Sequence, residues 1–108
     1  MKKVEAIIRT SKFQDVTKAL RNVGVNFFSF LNITAVEDYN LTQTIYSPTD
    51  DIKCYLSIVV NDDFEDVTVK AILQSAFTGE VGDGRIFVTK IDEVYKIKTN
   101  ERGTITLR

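Results

Sequence analysis

The 108-residue chain contains no histidine and a single cysteine, Cys54. Histidine is the side chain that most often serves as a general base or metal ligand near neutral pH, so a nucleophile–histidine–acid constellation cannot be built here. One cysteine cannot form an intrachain disulfide, and without histidine it argues against a structural zinc site. These absences favour a non-enzymatic protein and predict a reducing, cytoplasmic compartment.

The chain also lacks a long apolar run and an excess of one charge. No segment approaches the roughly 18 consecutive apolar residues of a membrane-spanning helix, so direct membrane insertion is not expected. The net charge is −1, which argues against a general binder of nucleic acid or anionic lipid. With 44% hydrophobic residues, residues 1–108 are expected to form a single domain around one core.

Hydrophobic spacing predicts four strands and two helices in the order β-α-β-β-α-β. A capping box formed by Ser11 and Gln14 predicts the start of the first helix. The second helix is predicted to be capped by the run beginning at Asn61 and to turn Val67 inward with three other apolar residues. The predicted strands cover 3–9, 25–36, 54–60 and 86–88, the predicted helices 11–23 and 64–77, and further extended runs 94–99 and 104–107.

This order is that of an α+β, ferredoxin-like fold, an antiparallel sheet with two helices on one face. The alternation along the strands leaves Ile7, Tyr55 and Val59 on the opposite face of the sheet. An apolar face needs cover, and association of subunits is the simplest source of it. The pattern therefore predicts an oligomer.

The stretch 78–88 holds three of the five glycines in the chain. Gly82 and Gly84 flank Asp83, so the backbone there can adopt dihedral angles that a side chain would disfavour. Such a turn can direct successive N–H groups at one anion. Arg85 follows at once and could neutralise that anion with a bidentate contact. The stretch therefore predicts a phosphate site.

Two lysines further along the chain fit the same interpretation. Lys96 and Lys98 are two residues apart on a predicted strand, so they would share a face and could converge on one polyphosphate. The alternative is an ordinary tight turn followed by lysines on a solvated strand face. The residues alone leave both interpretations open.

With these elements in place, the sequence resembles the PII signal-transduction family. The opening MKKVEAIIR is similar to that family's first strand, TGEVGDGRIFV (about 78–88) to its B-loop, and KIKTNERG (about 96–103) to its C-loop. Arg85 stands where the family usually has Lys, and Lys96 and Lys98 stand where it usually has Arg. The resemblance covers nearly the whole chain except the central segment.

The resemblance implies a cytoplasmic homotrimer of ferredoxin-like subunits that is not an enzyme and needs no cofactor. It implies that ATP or ADP, with or without Mg²⁺, binds in clefts between subunits. The nucleotide state would reshape a T-loop at about 36–53, which docks on a partner such as a membrane transporter or an enzyme. The residues implied for the partner-binding loop are Tyr39, Tyr46, Asp50 and Asp51.

The implied nucleotide contacts are carried over residue by residue. The glycine turn would offer its backbone to the phosphates, and Lys96 and Lys98 of a neighbouring subunit would reach the inner and the outermost phosphate. Ser29 and Val59 would lie near the adenine, and Ser57, where the family has an acid, near the ribose. The full implied set is Ile7, Phe28, Ser29, Ser57, Val59, Gly82, Asp83, Gly84, Arg85, Lys96 and Lys98.

The central segment departs most from the family. It is several residues shorter than usual, and Tyr39 stands where the family has a glutamine that binds Mg²⁺ and 2-oxoglutarate. Tyr46 does not match the tyrosine that the family modifies. The resemblance therefore does not carry over 2-oxoglutarate sensing or uridylylation, and it indicates a divergent, PII-like member.

Two other classes of function remain open. A trimeric small-ligand or metal-binding protein of the same fold would use the glycine turn structurally, with Cys54, Asp50 and Asp51 as candidate ion ligands. An enzyme, such as a ferredoxin-like isomerase, lacks support because the sequence shows no base, nucleophile or metal constellation.

Overall fold

A computed structural model describes residues 1–35 and 52–107. The elements are β1 (Lys2–Arg9), α1 (Phe13–Asn22), β2 (Ser29–Thr34), β3 (Ile52–Val60), α2 (Glu65–Ala76) and β4 (Arg85–Lys90). Short 3₁₀ turns precede both helices and end the described chain at Thr104–Leu107. The predicted β-α-β-β-α-β order is confirmed.

The four strands form one sheet in the order β2-β3-β1-β4, and every neighbouring pair is antiparallel. Alternation along β1 buries Val4, Ala6 and Ile8 completely or almost so. These side chains share one core with Leu20 of α1 and Ile72 of α2. Both helices therefore cover the same face of the sheet, as the ferredoxin-like arrangement requires.

The opposite face carries Ile7, Tyr55 and Val59, as predicted, because each alternates with a buried neighbour on its strand. Leu31 and Phe87 extend this face and are each about half exposed, at 52% and 47%. The Tyr55 hydroxyl donates a short hydrogen bond to the Glu5 carboxylate on the neighbouring strand. That bond raises the pKa of Tyr55 above its ordinary value. The trimer predicted to cover this face stays a prediction.

Both helix starts differ from their predictions. Thr10–Lys12 forms a 3₁₀ turn before α1, and no side chain caps either the turn or the helix, so the predicted capping box is wrong. Asn61 occupies the N-cap position of the turn before α2 but makes no side-chain cap bond. The chain enters each helix through a tightened 3₁₀ turn, which satisfies the first backbone groups without a capping side chain.

In α2, Thr68 is completely buried whereas Val67, predicted to point inward, is 42% exposed. The Thr68 hydroxyl donates to the Phe64 carbonyl at 2.7 Å, so its polar atom is satisfied within the helix. A threonine whose hydroxyl bonds to its own helix can occupy a core position at little cost. The helical phase is therefore set by Thr68, Ala71 and Ile72 rather than by Val67.

The extended runs predicted after β4 are also wrong. Residues 97–99 form a turn and not a strand, closed by the Asn100 N–H donating to the Lys96 carbonyl at 2.9 Å. Asn100 adopts a positive φ of 61°, which asparagine tolerates better than most residues. Thr104–Leu107 is a 3₁₀ turn. Strand β2 is shorter than predicted, spanning Ser29–Thr34.

Candidate functional site

The glycine turn spans residues 77–84, between the last residue of α2 and the first of β4. Gly82 and Gly84 have φ values of 103° and 100°, in the region that favours glycine. A Cβ on Gly84 would lie only 1.7 Å from the carbonyl oxygen of Ile7. Gly84 therefore packs its backbone directly on β1. No other residue fits there without displacing either β1 or the glycine turn.

The Asp83 carboxylate points back into the glycine turn. It accepts hydrogen bonds from the N–H groups of Thr78 and Gly79, each at 2.9 Å, and a short one from the Thr78 hydroxyl. Arg9 Nε donates to the same carboxylate at 3.1 Å. The bonds from Thr78, above all, hold the pKa of Asp83 well below its usual range. The side chain of Asp83 thus shapes the turn, and the predicted contact of its backbone with a phosphate stays a prediction.

Two cations that the sequence did not single out also hold the glycine turn. Arg9 Nη2 donates to the Val81 carbonyl at 2.7 Å, and Lys53 Nζ donates to the Gly82 carbonyl at 3.0 Å. Arg9 and Lys53 are cross-strand neighbours at the ends of β1 and β3. Two like charges opposite each other repel unless acceptors lie near them, but the register that pairs Arg9 with Lys53 comes from the structure and is not marked in the sequence.

The two held carbonyls determine where the next N–H groups point. In a planar trans peptide the C=O and the following N–H point in opposite directions. The N–H groups of Gly82 and Asp83 are therefore directed away from Arg9 and Lys53. Neither has an acceptor among residues 1–35 and 52–107. The turn presents two adjacent, unpaired backbone donors, which is the arrangement of an anion-binding nest.

Arg85 begins β4 beside these donors. It pairs with Ile7 of β1 and is exposed, and within the described parts of the chain it makes no ion pair. Ile7, Gly84 and Arg85 together line a small, largely apolar cavity of about 120 Å³. The structure therefore brings together Ile7 and the four predicted residues 82–85.

Lys96 and Lys98 lie in a separate turn, which we call the C-terminal turn (residues 94–103). The Lys96 N–H donates to the Glu101 carbonyl at 2.8 Å and Tyr95 bridges to Arg102, so this segment is a small hairpin. Lys96 and Lys98 are exposed, and neither has an ion pair among the residues described. The interpretation that they share a strand face is wrong, because Lys98 sits within the turn.

The remaining predicted residues lie around strands β2 and β3. Ser29 pairs directly with Ser57, and Val59 follows two residues later on the same face. Phe28, just before β2, is partly buried against the core. Val59 also lines a cavity of about 640 Å³, together with Asn26 and Phe27 and the end of the described chain at Thr106 and Leu107. Phe27 is 86% exposed, so its ring is available to a planar partner.

These residues and the glycine turn are not neighbours within one chain. Ser29 is on β2 and Arg85 is on β4, and these are the two outer strands of the sheet. Three strand spacings separate them, about 14 Å across the sheet. We call these two groups of candidate residues half-sites: the glycine turn with Arg85, which leads into the outer strand β4, and Ser29, Ser57 and Val59 on the outer strand β2 and its neighbour β3.

The structure says less about the remaining candidate residues. Tyr39, Tyr46, Asp50 and Asp51 lie outside the described residues. Cys54 is buried in the core, where desolvation raises the pKa of its thiol. In the described ranges no three His, Cys, Asp or Glu side chains come together as a metal site. The helices within those ranges are too short or too polar to cross a bilayer.

Comparison with known proteins identifies the family of this chain. Residues 1–101 match the family described as "Nitrogen regulatory protein P-II". The chain is 37% identical to "Nitrogen regulatory protein P-II 2" of Methanothermobacter thermautotrophicus, covering 95% of this chain and 94% of that protein. It is 33% identical to "Nitrogen regulatory protein P-II" of Azospirillum brasilense, over 95% and 96% of the two chains. A relative of the same name from Nostoc punctiforme is 35% identical. This chain belongs to the P-II family of signal-transduction regulators.

Proposed function

We propose that this P-II family member is a homotrimeric sensor of adenine nucleotides. ATP or ADP would bind in clefts between subunits, and the central segment would pass the nucleotide state to a partner protein. One observation carries the proposal: the Val81 and Gly82 carbonyls are held from one side, so the N–H groups of Gly82 and Asp83 face the other side, where residues 1–35 and 52–107 offer them no acceptor. Such donors suit a phosphate group.

The charges around these donors support an anionic ligand. Arg85 adjoins the turn and is exposed without an ion pair in the described chain. An arginine fork and two backbone donors can hold several phosphate oxygens at once. Asp83 does not oppose this, because its carboxylate is occupied by donors of the glycine turn itself. The turn therefore offers a site that is rigid before any ligand arrives.

The separation of the two half-sites supports a cleft between subunits. Ser29 lies on the outer strand β2 with Val59 on the neighbouring strand β3, and the glycine turn leads into the other outer strand, β4. A second copy of the chain would bring its Ser29 edge, together with Lys96 and Lys98, up to the glycine turn of the first. The half-exposed Leu31 and Phe87 on the outer sheet face would be covered in the same assembly.

The cavity beside Val59 fits the base of a nucleotide better than its phosphates. Its lining combines the exposed Phe27 ring, the Val59 strand and the Asn26 amide. An aromatic ring and a strand backbone can stack against and hydrogen-bond to a planar base. We therefore assign the adenine to this half-site and the phosphates to the glycine turn of the neighbouring subunit.

The central segment, about 36–53, is proposed to act as the partner-binding loop, with a transporter or enzyme as its target. The family name "Nitrogen regulatory protein" suggests that this target serves nitrogen metabolism. A variant lacking residues 38–50 should keep its oligomeric state and nucleotide binding but lose its partner in a pull-down. Retained partner capture would assign recognition to another surface.

Calorimetric titration and light scattering test the proposal together. We expect a trimer in dilute solution that binds ATP and ADP and binds AMP more weakly. At a concentration of one hundred dissociation constants, ATP should stabilise the fold by about 2.7 kcal/mol. Lys70→Ala removes an exposed cation of α2 away from the site and serves as the control for a general loss of charge. A monomer, or a trimer that binds no adenine nucleotide, would contradict the proposal.

A further inference from the structure

We propose that Arg9 and Lys53 are positioning residues of this site, which aim the Gly82 and Asp83 N–H groups by holding the preceding carbonyls. The inference rests on the proposed nucleotide site and extends it to two residues that do not face the ligand side of the turn. Arg9 holds the Val81 carbonyl at 2.7 Å, and Lys53 holds the Gly82 carbonyl at 3.0 Å.

The burial of Lys53 fixes its hydrogen bond to the Gly82 carbonyl. Lys53 is only 9% exposed, and a buried ammonium group needs an acceptor because its desolvation is costly. Among the residues described, the Gly82 carbonyl is the acceptor recorded for Lys53. The lysine therefore cannot release the carbonyl without losing a charge-assisted bond, and the peptide between Gly82 and Asp83 is fixed in orientation.

Arg9 holds the glycine turn at two points. Its Nη2 reaches the Val81 carbonyl and its Nε reaches the Asp83 carboxylate. A guanidinium group is planar and presents its donors in a fixed geometry. Arg9 can therefore set the angle between the peptide that follows Val81 and the side chain of Asp83, which lysine cannot do with a single nitrogen.

The glycine at position 82 fits the same interpretation. A Cβ there would lie 3.1 Å from Arg9 Nη2 and 3.4 Å from Lys53 Nζ. Both cations thus approach Gly82 closely from the carbonyl side, where a side chain would push them away. The missing side chain at position 82 lets two cations hold consecutive carbonyls, and the opposite side of the turn keeps its donors for an anion.

The first measurement needs no nucleotide. In ligand-free protein labelled with ¹⁵N, Lys53→Met should shift the amide resonances of Gly82 and Asp83, because their peptides lose a fixed orientation. Lys53→Arg keeps a charged donor and should restore them. Lys70→Met, on the exposed face of α2, is the matched control and should leave them unchanged. Unchanged Gly82 and Asp83 resonances in Lys53→Met would overturn the inference.

The second measurement is ATP affinity by calorimetry. Lys53→Met should weaken ATP binding about tenfold, as the loss of one charge-assisted bond predicts, and Lys53→Arg should recover most of it. A tenfold loss with unchanged amide resonances would mean that Lys53 contacts the ligand directly, and would also overturn the inference. If the parent binds no ATP, the proposed function fails, while the amide shifts still test the positioning role.

A third variant keeps the test decisive if Lys53→Met does not fold. Arg9→Lys retains the charge but cannot reach the Val81 carbonyl and the Asp83 carboxylate with separate nitrogens. We expect an unchanged circular dichroism spectrum, shifted Gly82 and Asp83 amides and ATP binding weakened severalfold. Parent-like amides in a folded Arg9→Lys protein would overturn the positioning role.

Discussion

The glycine turn and the C-terminal turn share their ingredients but differ in how they are held. Each contains a threonine and glycine at positive φ, and exposed cations lie directly after the glycine turn (Arg85) or within the C-terminal turn (Lys96 and Lys98). The glycine turn is fixed from outside by Arg9, Lys53 and the backbone of Ile7. In the described chain, the hydrogen bonds that hold the C-terminal turn come from its own residues and from the nearby Thr106, and its Ile97 side chain is 99% exposed.

This difference suggests that the two turns have different roles in the proposed cleft. The glycine turn is preorganised, so an anion binding there would not have to order the backbone first. The hairpin that carries Lys96 and Lys98 makes its hydrogen bonds, among the residues described, within the segment 93–106. A neighbouring subunit would have to fix its direction relative to the sheet. One half of the site is thus complete in the monomer, and the other half depends on assembly.

The largest expected contrast is between alanine substitutions of two glycines at positive φ. Both Gly84→Ala and Gly103→Ala incur about 1–2 kcal/mol of backbone strain. At Gly84 the new Cβ would also meet the Ile7 carbonyl at 1.7 Å, whereas at Gly103 the nearest atom is a Glu93 carboxylate oxygen at 3.9 Å. Overpacking against a strand adds about 1–3 kcal/mol or more.

We therefore expect urea unfolding to show a free-energy loss of about 2–5 kcal/mol for Gly84→Ala and about 1–2 kcal/mol for Gly103→Ala. A loss of that size is a large part of the stability of a small domain. Equal losses in the two variants would mean that the glycine turn is no more tightly packed than the C-terminal turn.

The next contrast is between the exposed cations of the two turns. Loss of a charged contact costs roughly ten- to a hundredfold in affinity. Arg85→Ala should weaken ATP and ADP alike, because the glycine turn is proposed to hold phosphates that both nucleotides share. Lys98→Ala should weaken ATP much more than ADP, because Lys98 is assigned to the outermost phosphate. Calorimetric titration of both variants with both nucleotides measures the ratio.

Two results would contradict these assignments. An unchanged ratio of ATP to ADP affinity in Lys98→Ala would remove that lysine from the terminal phosphate. Parent-like binding in Arg85→Ala would remove the phosphate role from the glycine turn and leave the turn with a structural role only. The second outcome would favour a small-ligand trimer without nucleotide sensing.

Sequence pattern predicted the frame of the molecule well, because burial imposes a strict period. Strict alternation through Val4, Ala6 and Ile8 determined both the strand and its inward face. The same reasoning failed after β4, where Tyr95, Ile97 and Lys98 alternate in character but none is buried. Alternation without burial does not define a strand, and Asn100 in the left-handed region turns the chain instead.

The candidate site was only half predictable, for a related reason. Glycines and cations near one another indicated a phosphate site, because such a turn can direct backbone N–H groups at an anion, and that site stays a prediction. The roles of Arg9 and Lys53 depend on main-chain carbonyl acceptors, which every residue carries and no sequence pattern marks. Only the register of β1 with β3 brings both cations to the glycine turn.

A smaller expected effect concerns how the glycine turn responds to low pH. The pKa of Asp83 lies below its usual range because the ionised carboxylate accepts bonds from Thr78, Gly79 and Arg9. A lowered folded-state pKa adds stability above the ordinary value of about 3.9, and that stability is lost as the pH falls through the folded pKa. Acidification should therefore loosen the glycine turn only well below about pH 3.9.

Amide resonances followed during acid titration test this expectation. The amide resonances of Thr78 and Gly79, which donate to the carboxylate, should move with a midpoint well below about pH 3.9, the ordinary pKa of aspartate. The Lys96 amide donates to a main-chain carbonyl and should not share that transition. A midpoint at or above the ordinary value would show that Asp83 is not held in its ionised form by the turn.

The smallest contrast is between the threonines of the two turns. The Thr78 hydroxyl donates to Asp83 and accepts from the Glu80 N–H at 3.2 Å. Among the described residues, the Thr99 hydroxyl makes one long bond, which it accepts from the Glu101 N–H at 3.4 Å. Valine matches threonine in shape but removes the hydroxyl.

Thr78→Val should weaken ATP binding about two- to fivefold, because Asp83 keeps its backbone donors and loses one of several bonds. Thr99→Val should stay within the error of calorimetric titration. A larger effect at Thr99 than at Thr78 would mean that the C-terminal turn, and not the glycine turn, is the more precisely ordered half of the site.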